Sequence, residues 1–321
     1  MSSSSSTPGV TLLAGGVGGA RLAHGFALAL PDGGASLAVV VNVGDDTELH
    51  GLAISPDLDT VMYTLAEIND EQRGWGLQHE TYATLDQLGR LGEDTWFTLG
   101  DRDLATHIVR TARLRSGMPL SVVTTQLADS LGIRARLLPA TDDRVRTLVH
   151  TPSGQVAFQE YFVRRQHADA VLDLSSDGVE DAAPAPGVLD AVARADLLVV
   201  APSNPFLSVE PVLAVPGVRD AVRAATAPTV AVSPIVAGRA IKGPAAQILE
   251  TLGHEVSALG VARLYAGLVD MMCIDTADAA LAGAVEGLGL EVMVTDTIMG
   301  GPAGRERLAR ALLDAVAPAD R

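Results

Sequence analysis

The first forty residues place an apolar run, a glycine-rich turn, a helical stretch and a second apolar run in direct succession. Residues 10–14 predict a strand, residues 15–20 (GGVGGA) a tight turn, and residues 21–30 an amphipathic helix. Residues 37–43 follow without polar alternation, which is typical of a strand buried on both faces. This order is a βαβ unit, in which the two strands are parallel and the crossover is right-handed. The sequence therefore predicts an α/β fold built on a parallel sheet.

The same pattern returns late in the chain, after an interruption. Residues 55–131 are predicted to be mainly helical, and residues 144–150 and 155–163 flank a Thr-Pro-Ser-Gly turn that indicates a β-hairpin. Residues 175–186 are acidic, with Gly and Pro, and predict a surface loop. Later strands are predicted at 197–201, 229–232 and 291–295, and a terminal helix at 302–316.

These elements predict a Rossmann-like fold, with a mostly parallel sheet as the middle of three layers. We expect one α/β domain over residues 10–321, with a helical and β-hairpin insertion at about 61–190. Residues 1–9 are rich in serine and are expected to form a disordered tail.

Composition argues against several classes of partner and location. The chain has 23 Lys and Arg against 39 Asp and Glu, a net charge of −16, which repels nucleic acid and anionic membranes. Its one cysteine, Cys273, excludes an internal disulfide framework and a CxxC metal site. No stretch is long and apolar enough to span a bilayer, and the first residues lack the pattern of a secretory signal. A cytoplasmic protein is the expectation.

The glycine turn predicts a phosphate site. Its glycines let backbone N–H groups approach a ligand, and the start of the following helix adds partial positive charge. A dinucleotide fingerprint that starts at Gly16 requires a third glycine where the chain has Arg21, so a nicotinamide cofactor is not implied. A tight turn without a ligand is the alternative interpretation.

Three further segments carry aspartates at the predicted ligand edge or at helix starts. Residues 42–46 (NVGDD) end the second strand, and adjacent carboxylates suit Mg²⁺, although Gly-Asp is also an ordinary turn. Residues 55–60 (SPDLDT) would start a helix capped by Ser55, with the two aspartates facing the helix dipole. Residues 100–107 (GDRDLATH) would start another helix, capped by Asp101, with Leu104, Ile108 and Ala112 buried and His107 in a surface pair with Asp103.

Two late loops should open on the same edge of the sheet because both follow predicted strands. Ser203 and Asn204 offer small polar groups between two prolines. Lys242, the one lysine of the chain, and Gly243 precede a helix whose N–H groups could help to hold a phosphate. A solvated loop charge is the alternative for Lys242.

Taken together, these segments resemble the 2-phospho-L-lactate transferase (CofD) family of coenzyme F420 biosynthesis. SPDLDT combined with LGDRDLATH is the specific part of the match, and it separates the group from related proteins that bind nucleotide sugars. The matching segments spread over most of the chain and keep a consistent order: residues 15–20, 42–46, 55–60, 73–76, 99–107, 201–205 and 233–244.

The resemblance implies a reaction. A guanosine-diphosphate-activated C3 acid, phosphoenolpyruvate or 2-phospholactate, donates its phosphate-linked group to the ribityl hydroxyl of 7,8-didemethyl-8-hydroxy-5-deazariboflavin, and GMP leaves. The family match places the deazaflavin at Asp59 and Arg102. It makes Asp45 and Asp59 the catalytic and Mg²⁺-binding candidates, and it implies a homodimer.

The expected donor site combines the glycine turn with the loops at the same edge of the sheet. Its candidate residues are Gly16, Gly18, Gly19, Asn42, Ser203, Asn204, Lys242 and Gly243.

Two other functions compete with this hypothesis. A regulatory protein that senses a nucleotide sugar could use the same glycine turn, but it would not need both aspartate-rich helix starts. A nicotinamide-dependent oxidoreductase is disfavoured by Arg21 and by the lack of a histidine placed for hydride transfer.

Overall fold

The structure is a computed structural model that describes residues 7–166 and 168–316. The strands described there are β1 (Val10–Ala14), β2 (Leu37–Val41), β3 (Thr47–Leu49), β4 (Leu52–Ile54), β5 (Arg136–Pro139), β6 (Arg146–Thr151), β7 (Gly154–Ala157), β8 (Asp173–Asp177), β9 (Leu197–Val200), β10 (Thr229–Val232), β11 (Ile235–Val236), β12 (Arg239–Ala240), β13 (Met271–Asp275) and β14 (Glu291–Thr295).

The α-helices in the same residues are α1 (Gly16–Ala29), α2 (Pro56–Leu65), α3 (Ala83–Arg90), α4 (Asp101–Arg115), α5 (Leu120–Ser130), α6 (Val188–Ala193), α7 (Glu210–Ala214), α8 (Val218–Arg223), α9 (Ala245–Thr251), α10 (Ala258–Tyr265), α11 (Ala282–Glu286) and α12 (Gly301–Val316). Short π-helical turns cover Glu160–Arg164 and Pro205–Val209, and 3₁₀ turns cover Val179–Asp181 and Thr276–Leu281.

Seven strands form the main sheet, in the order β14-β13-β10-β9-β1-β2-β5, and all neighbours are parallel. Successive side chains of these strands point to opposite faces, which is why the core divides in two. Leu12 faces the layer of α1, α2 and α12, whereas Leu13 faces the layer of α6 to α11. The predicted Rossmann-like, three-layer sheet is confirmed.

The strand order reverses at β1, and this reversal positions the site. From β1 the chain crosses to β2 on one side, and later to β9 and β10 on the other. The loops that leave β1 and β9 therefore diverge and open a crevice at the carboxyl ends of these strands, the place where ligands bind in open α/β sheets.

Several predicted elements differ from the structure in their extent. Helix α1 begins at Gly16 rather than at residue 21, because the glycine turn itself forms the first helical turn. The predicted surface loop at 175–186 is wrong in its first part, since β8 pairs with β6 and completes a three-stranded sheet with β7. The hairpin of β6 and β7 is present, but its second strand ends at Ala157.

The predicted insertion also touches the main sheet. Strand β5, which lies between residues 61 and 190, pairs with β2 at the sheet edge. The other strands and helices of this stretch lie outside the main sheet, so the bounds of an insertion subdomain stay a prediction.

The ends of the chain are only partly described. Of the predicted tail, residues 1–6 lie outside the described residues, whereas the Gly9 N–H donates to Asp196 Oδ2 at 2.8 Å. Among the helices described, none has the length and apolar character required to cross a membrane.

Candidate active site

A cavity of about 360 Å³ lies at the carboxyl ends of β1, β2, β9 and β10, where the strand order reverses. Loops from all four strands line it. Eight of the predicted site residues reach its wall: Gly16, Gly18, Asp45, Asp59, Ser203, Asn204, Lys242 and Gly243. Gly19, Asn42 and Arg102 do not line it.

The glycine turn brings the start of α1 to the cavity. Gly16 has φ +61, a left-handed conformation that favours glycine, and its N–H donates to Asp57 Oδ1 at 2.7 Å. Ser203 Oγ donates to the Gly15 carbonyl at 2.7 Å, and a Cβ on Gly18 would overlap the Pro202 carbonyl oxygen. The turn is thus locked against the loop after β9, and it already holds one carboxylate at the helix start.

Gly19 and Asn42 support the site from behind. A Cβ on Gly19 would lie 2.8 Å from Ala14 Cβ and 2.9 Å from Ser203 Oγ, so this glycine is needed for close packing. Asn42 is fully buried, and its side-chain amide donates to Asp45 Oδ1 at 3.2 Å and to Asp57 Oδ2 at 2.9 Å. It therefore holds two carboxylates of the cavity next to each other.

Asp45 and Asp57 form the first acidic pair of the cavity, and both are buried. Gln159 Nε2 also donates to Asp45 Oδ2 at 3.3 Å. Burial, followed by the nearby charges of Asp57 and Asp46, raises the pKa of Asp45 well above its usual range. Burial raises the pKa of Asp57 to about 6, against the hydrogen bonds from Asn42 and Gly16. A divalent cation would relieve this crowding of negative charge.

Asp46 does not line the cavity, and it is the hydrogen-bond partner of Ser55. The Ser55 hydroxyl donates to Asp46 Oδ2 at 2.9 Å and makes no cap bond to α2, so its predicted capping role is wrong. Burial raises the pKa of Asp46 to about 7, although Arg146 and the Ser55 bond oppose the shift. Pro56 occupies the first turn of α2, where a missing N–H costs no helical hydrogen bond.

Asp59 belongs to a second buried network, which crosses from α2 to α4. Arg110 is 1% exposed, and both terminal nitrogens of its guanidinium donate to Asp59. His107 Nδ1 lies 3.7 Å from Asp59 Oδ2, and His107 Nε2 lies 3.3 Å from Asp103 Oδ1. Tyr63 completes the network by donating to Asp103 Oδ1 at 2.6 Å.

The contacts of His107 decide where its proton lies. Arg110 Nη1 is 3.2 Å from His107 Nδ1, and a guanidinium can only donate, so Nδ1 accepts and the proton is on Nε2, towards Asp103. Burial works to raise the pKa of Asp103, but His107 and Tyr63 outweigh it and lower that pKa. Asp59, Asp103 and His107 each offer one ligand atom within 4.8 Å of the others, a spacing that could hold a metal ion.

This network overturns the predicted face of α4. Ile108 is 55% exposed and Ala112 is exposed, whereas His107 is 1% exposed rather than part of a surface pair. The buried face is polar, and it consists of Asp103, His107, Arg110 and Thr111. An apolar stripe was expected by analogy with ordinary amphipathic helices, and the spacing of Asp103, His107 and Arg110 was the signal that could have revealed a polar one.

Helices α3 and α4 exchange their capping carboxylates: the start of each helix is capped by an acidic residue near the start of the other. Glu80 accepts from the N–H groups of Arg102 and Asp103 at 2.7 and 2.9 Å, at the start of α4. Asp101 accepts from the N–H groups of Ala83 and Thr84, both at 2.9 Å, at the start of α3. The predicted capping of α4 by Asp101 is therefore wrong, because Asp101 caps α3.

Arg102 stands outside the cavity. Its side chain is exposed, and Nη1 donates to the Gln78 carbonyl at 3.0 Å. Its contact with the deazaflavin stays a prediction that the position of the side chain in the structure does not support.

The basic part of the cavity wall comes from α1 and from the loop after β12. Arg21 and Lys242 both line it. Lys242 Nζ donates to the Arg73 carbonyl at 3.0 Å, so the lysine joins its own loop to residues 69–77. Sequence reasoning used Arg21 only to exclude a dinucleotide fingerprint and missed it as a site residue.

Aromatic side chains are concentrated in the cavity. Five of the eleven in the chain line it: Tyr63, Trp75, Phe97, Phe158 and Phe162. All five lie between residues 61 and 190, and the rings of Phe158 and Phe162 stack with centroids 5.5 Å apart. A planar, partly apolar ligand fits such a wall.

Comparison with known proteins agrees with this geometry. The chain is similar to the phosphoenolpyruvate transferases of Streptomyces griseus (43% identity over 95% of this chain and 97% of the relative) and Streptomyces coelicolor (44% identity over 94% and 98%). A solved UPF0052-family protein of Bacillus halodurans shares the fold, with a TM-score of 0.65 and 16% identity over 96% of this chain and 99% of that one.

The family match covers most of the chain. The sequence profile described as "2-phospho-L-lactate transferase CofD" matches residues 10–296. These residues contain β1 to β14 and every side chain assigned above to the acidic networks and the basic wall. The predicted enzyme class, a transferase, is confirmed. The chain therefore belongs to the 2-phospho-L-lactate transferase CofD family.

Proposed function

We propose that this transferase moves a phosphoenolpyruvyl or 2-phospholactyl group from a guanosine-diphosphate-activated donor to the ribityl hydroxyl of 7,8-didemethyl-8-hydroxy-5-deazariboflavin, in coenzyme F420 biosynthesis. The observation that carries the proposal is a single cavity with three chemically distinct walls, one acidic, one basic with a glycine turn, and one aromatic. The two Streptomyces relatives are phosphoenolpyruvate transferases by name, which favours phosphoenolpyruvate as the C3 acid.

The glycine turn and the basic wall suit the donor, which carries several negative charges. The start of α1 supplies N–H groups and the helix dipole, and the carboxylate of Asp57 on Gly16 N–H shows that this helix start accepts an anion. Ser203, Asn204 and Gly243 line the same part of the cavity. Lys242 adds an ammonium that a phosphate can share with the carbonyls it now contacts.

Mg²⁺ fits the pair of Asp45 and Asp57 better than the predicted pair of Asp45 and Asp59. Asp45 and Asp57 are hard oxygen ligands, held next to each other by Asn42 beside the glycine turn. Asp59 is already held by both terminal nitrogens of Arg110, and its neighbour His107 is a softer ligand than Mg²⁺ prefers. When bound, the ion would neutralise the diphosphate and stabilise the departing GMP.

Asp59 is the proposed base. Arg110 and His107 fix its carboxylate in the cavity wall, beside the aromatic side chains that suit the deazaflavin. The ribityl oxygen forms a bond to the phosphorus that bears the C3 acid, and the bond from that phosphorus to the oxygen of GMP breaks. The hydroxyl proton passes to Asp59.

The decisive experiment is mass spectrometry of the deazaflavin after incubation with the protein, Mg²⁺ and each activated donor in turn. We expect the mass of the phosphodiester product and equimolar GMP with at least one donor. No adduct with either donor would contradict the proposal, and binding of a UDP-sugar without its consumption would favour a regulatory protein instead. The homodimer and the cytoplasmic location stay predictions.

A further inference from the structure

Two cations line the cavity, but only one of them has a fixed contact. Lys242 is held by backbone carbonyls, whereas no hydrogen bond or ion pair to Arg21 occurs within residues 7–166 and 168–316. Arg21 is half-buried, and burial, followed by the charge of Arg305, lowers its pKa. A guanidinium in this position, without a carboxylate of its own, is prepared to receive an anion.

Arg305 explains why Arg21 has no partner. Arg305 projects from α12, is 1% exposed, and donates through Nη2 to Glu71 Oε2. Its Nη1 lies 3.3 Å from His24 Nδ1, and His24 Nε2 lies 3.0 Å from Glu67 Oε1. The charge of Glu71 counteracts the lowering of the Arg21 pKa, but Glu71 already accepts a hydrogen bond from Arg305.

The segment that carries Glu71 also covers Lys242. Gly74 has φ +86, and a Cβ there would lie 2.9 Å from Lys242 Nζ and 3.0 Å from Val17 Cγ1. Val17 and Arg21 are one turn apart on α1, so Arg21 lies on the face of α1 that carries Val17. Burial, followed by the charge of Arg21, lowers the pKa of Lys242.

The charges of the cavity are therefore separated. Its carboxylates come from the loop after β2 and from α2 and α4, whereas its cations come from α1 and the loop after β12. The separation is by element rather than by strict distance, because Asp57 reaches Gly16 at the start of α1, whereas Arg21 lies more than one turn further along that helix.

We propose that Arg21 and Lys242 together bind a phosphate group of the donor, and that Arg305 is a positioning residue that keeps Glu71 away from Arg21. This inference rests on the proposed function for the identity of the donor. It predicts that the phosphates of the donor lie against Arg21 and Lys242, within reach of a cation bound by the carboxylates.

Calorimetric titration with GDP, inorganic pyrophosphate and guanosine, each with Mg²⁺, tests the Arg21 part. Arg21→Gln and Lys242→Gln should each weaken GDP binding by about tenfold or more and leave guanosine binding unchanged. Arg239→Gln is the matched control, because Arg239 is exposed in β12, shortly before Lys242, and does not line the cavity. Equal GDP affinities of Arg21→Gln and Arg239→Gln would overturn the inference.

The choice of ligands also distinguishes a failure of the anion site from a failure of the proposed function. If the wild-type protein binds pyrophosphate in an Arg21-dependent way but does not bind GDP, the guanine nucleotide donor is wrong and the anion site stands. If it binds GDP without any dependence on Arg21, the anion site is wrong and the donor stands.

A double variant tests the role of Arg305. Arg305→Met should weaken GDP binding by releasing Glu71 to pair with Arg21, and adding Glu71→Gln should restore most of the affinity. A merely structural role of Arg305 predicts no recovery in the double variant, and that result would overturn the positioning role. Since Arg305 is buried, Glu71→Gln alone gives a second measurement, and it should bind GDP at least as tightly as the wild-type protein.

Discussion

Asp45 is a single side chain whose ionisation in the buried cavity costs the folded protein stability. It is buried beside Asp57, and its raised pKa means that the folded protein resists its ionisation. Asn42 and Gln159 donate to its carboxylate, and an asparagine oxygen could accept at least one of these bonds. The proposed function requires these charges, which the fold alone would not select.

Asp45→Asn should therefore raise the melting temperature in the absence of Mg²⁺, because it removes a buried charge beside Asp57. It should also abolish transfer and the stabilisation that Mg²⁺ gives the wild-type protein. Differential scanning calorimetry with and without Mg²⁺ checks both effects, and Asp129→Asn, at an exposed site on α5, is the control. A Mg²⁺-dependent shift that survives in Asp45→Asn would remove Asp45 from the metal site.

Asp59→Asn should abolish transfer and, in addition, lower stability by about 3 kcal/mol, since it leaves the buried Arg110 without its counter-ion. Denaturant titration of Asp59→Asn and of the double variant with Arg110→Met separates the two effects. The double variant should regain stability but not turnover, and near-normal turnover of either would exclude Asp59 as the base.

At the scale of elements, the crossing of α1 and α12 depends on one glycine. A Cβ on Gly25 would overlap the carbonyl oxygen of Arg305. We expect Gly25→Ala to lower the free energy of unfolding by about 1–3 kcal/mol, because two backbones must separate. In contrast, Gly283→Ala in α11 meets no atom within 4 Å and should be neutral or stabilising by up to about 1 kcal/mol. Equal effects of the two changes on denaturant midpoints would contradict this account of the crossing.

The elements that sequence predicted well are those whose pattern is local. Strands β1, β10 and β14 match their predicted bounds. Each is built around a short apolar run between turns, a pattern typical of strands in an α/β chain. Strand β13 is not among the predicted strands, although its buried MMCID run has the same character.

The misses concern partners that are distant in sequence. The polar face of α4 cannot be predicted from helical periodicity, because its reason is Asp59, which lies 51 residues from Arg110. Ser55 was assigned to its own helix by proximity, whereas the hydroxyl donates to Asp46 on the preceding loop. For the same reason the sequence shows Arg21 only as a departure from the dinucleotide fingerprint, whereas the fold places it in the cavity wall.

For the whole molecule, the buried acids predict an unusual response to pH. Burial raises the folded-state pKa of Asp46 to about 7 and of Asp57 to about 6, above the usual range of unfolded aspartate. Folded protein thus binds more protons, and stability is lost as pH rises through these values. Acids with lowered pKa, such as Asp103 and Asp275, make the protein less stable below about pH 4.

Without Mg²⁺, the melting temperature should therefore be highest at about pH 4–5 and fall progressively towards pH 8. Asp46→Asn should flatten the loss between pH 5 and 8, which we expect to be about 1–3 kcal/mol for this residue. Thermal scans across this range at constant ionic strength check the slope. A melting temperature that rises steadily from pH 5 to 8 would contradict the assignment.

Cys273 offers a probe of the molecule as a unit. It lies in β13 with 0% exposure, and burial raises the pKa of its thiol to about 12. At pH 8 the native protein should react with an aromatic disulfide reagent only as fast as the sheet opens. The labelling rate should rise with urea in parallel with unfolding measured by circular dichroism, and rapid labelling of native protein would show that the sheet opens locally.

The exchanged carboxylates of α3 and α4 have a consequence for how the site comes into being. Helix α3 contributes no buried residue of its own, yet its start is completed by Asp101, while Glu80, just ahead of α3, completes the start of α4. Each helix start is therefore completed by a residue near the start of the other helix, so we expect a change at one start to loosen both. Since α4 bears the polar face against Asp59, α3 supports that face without lining the cavity itself.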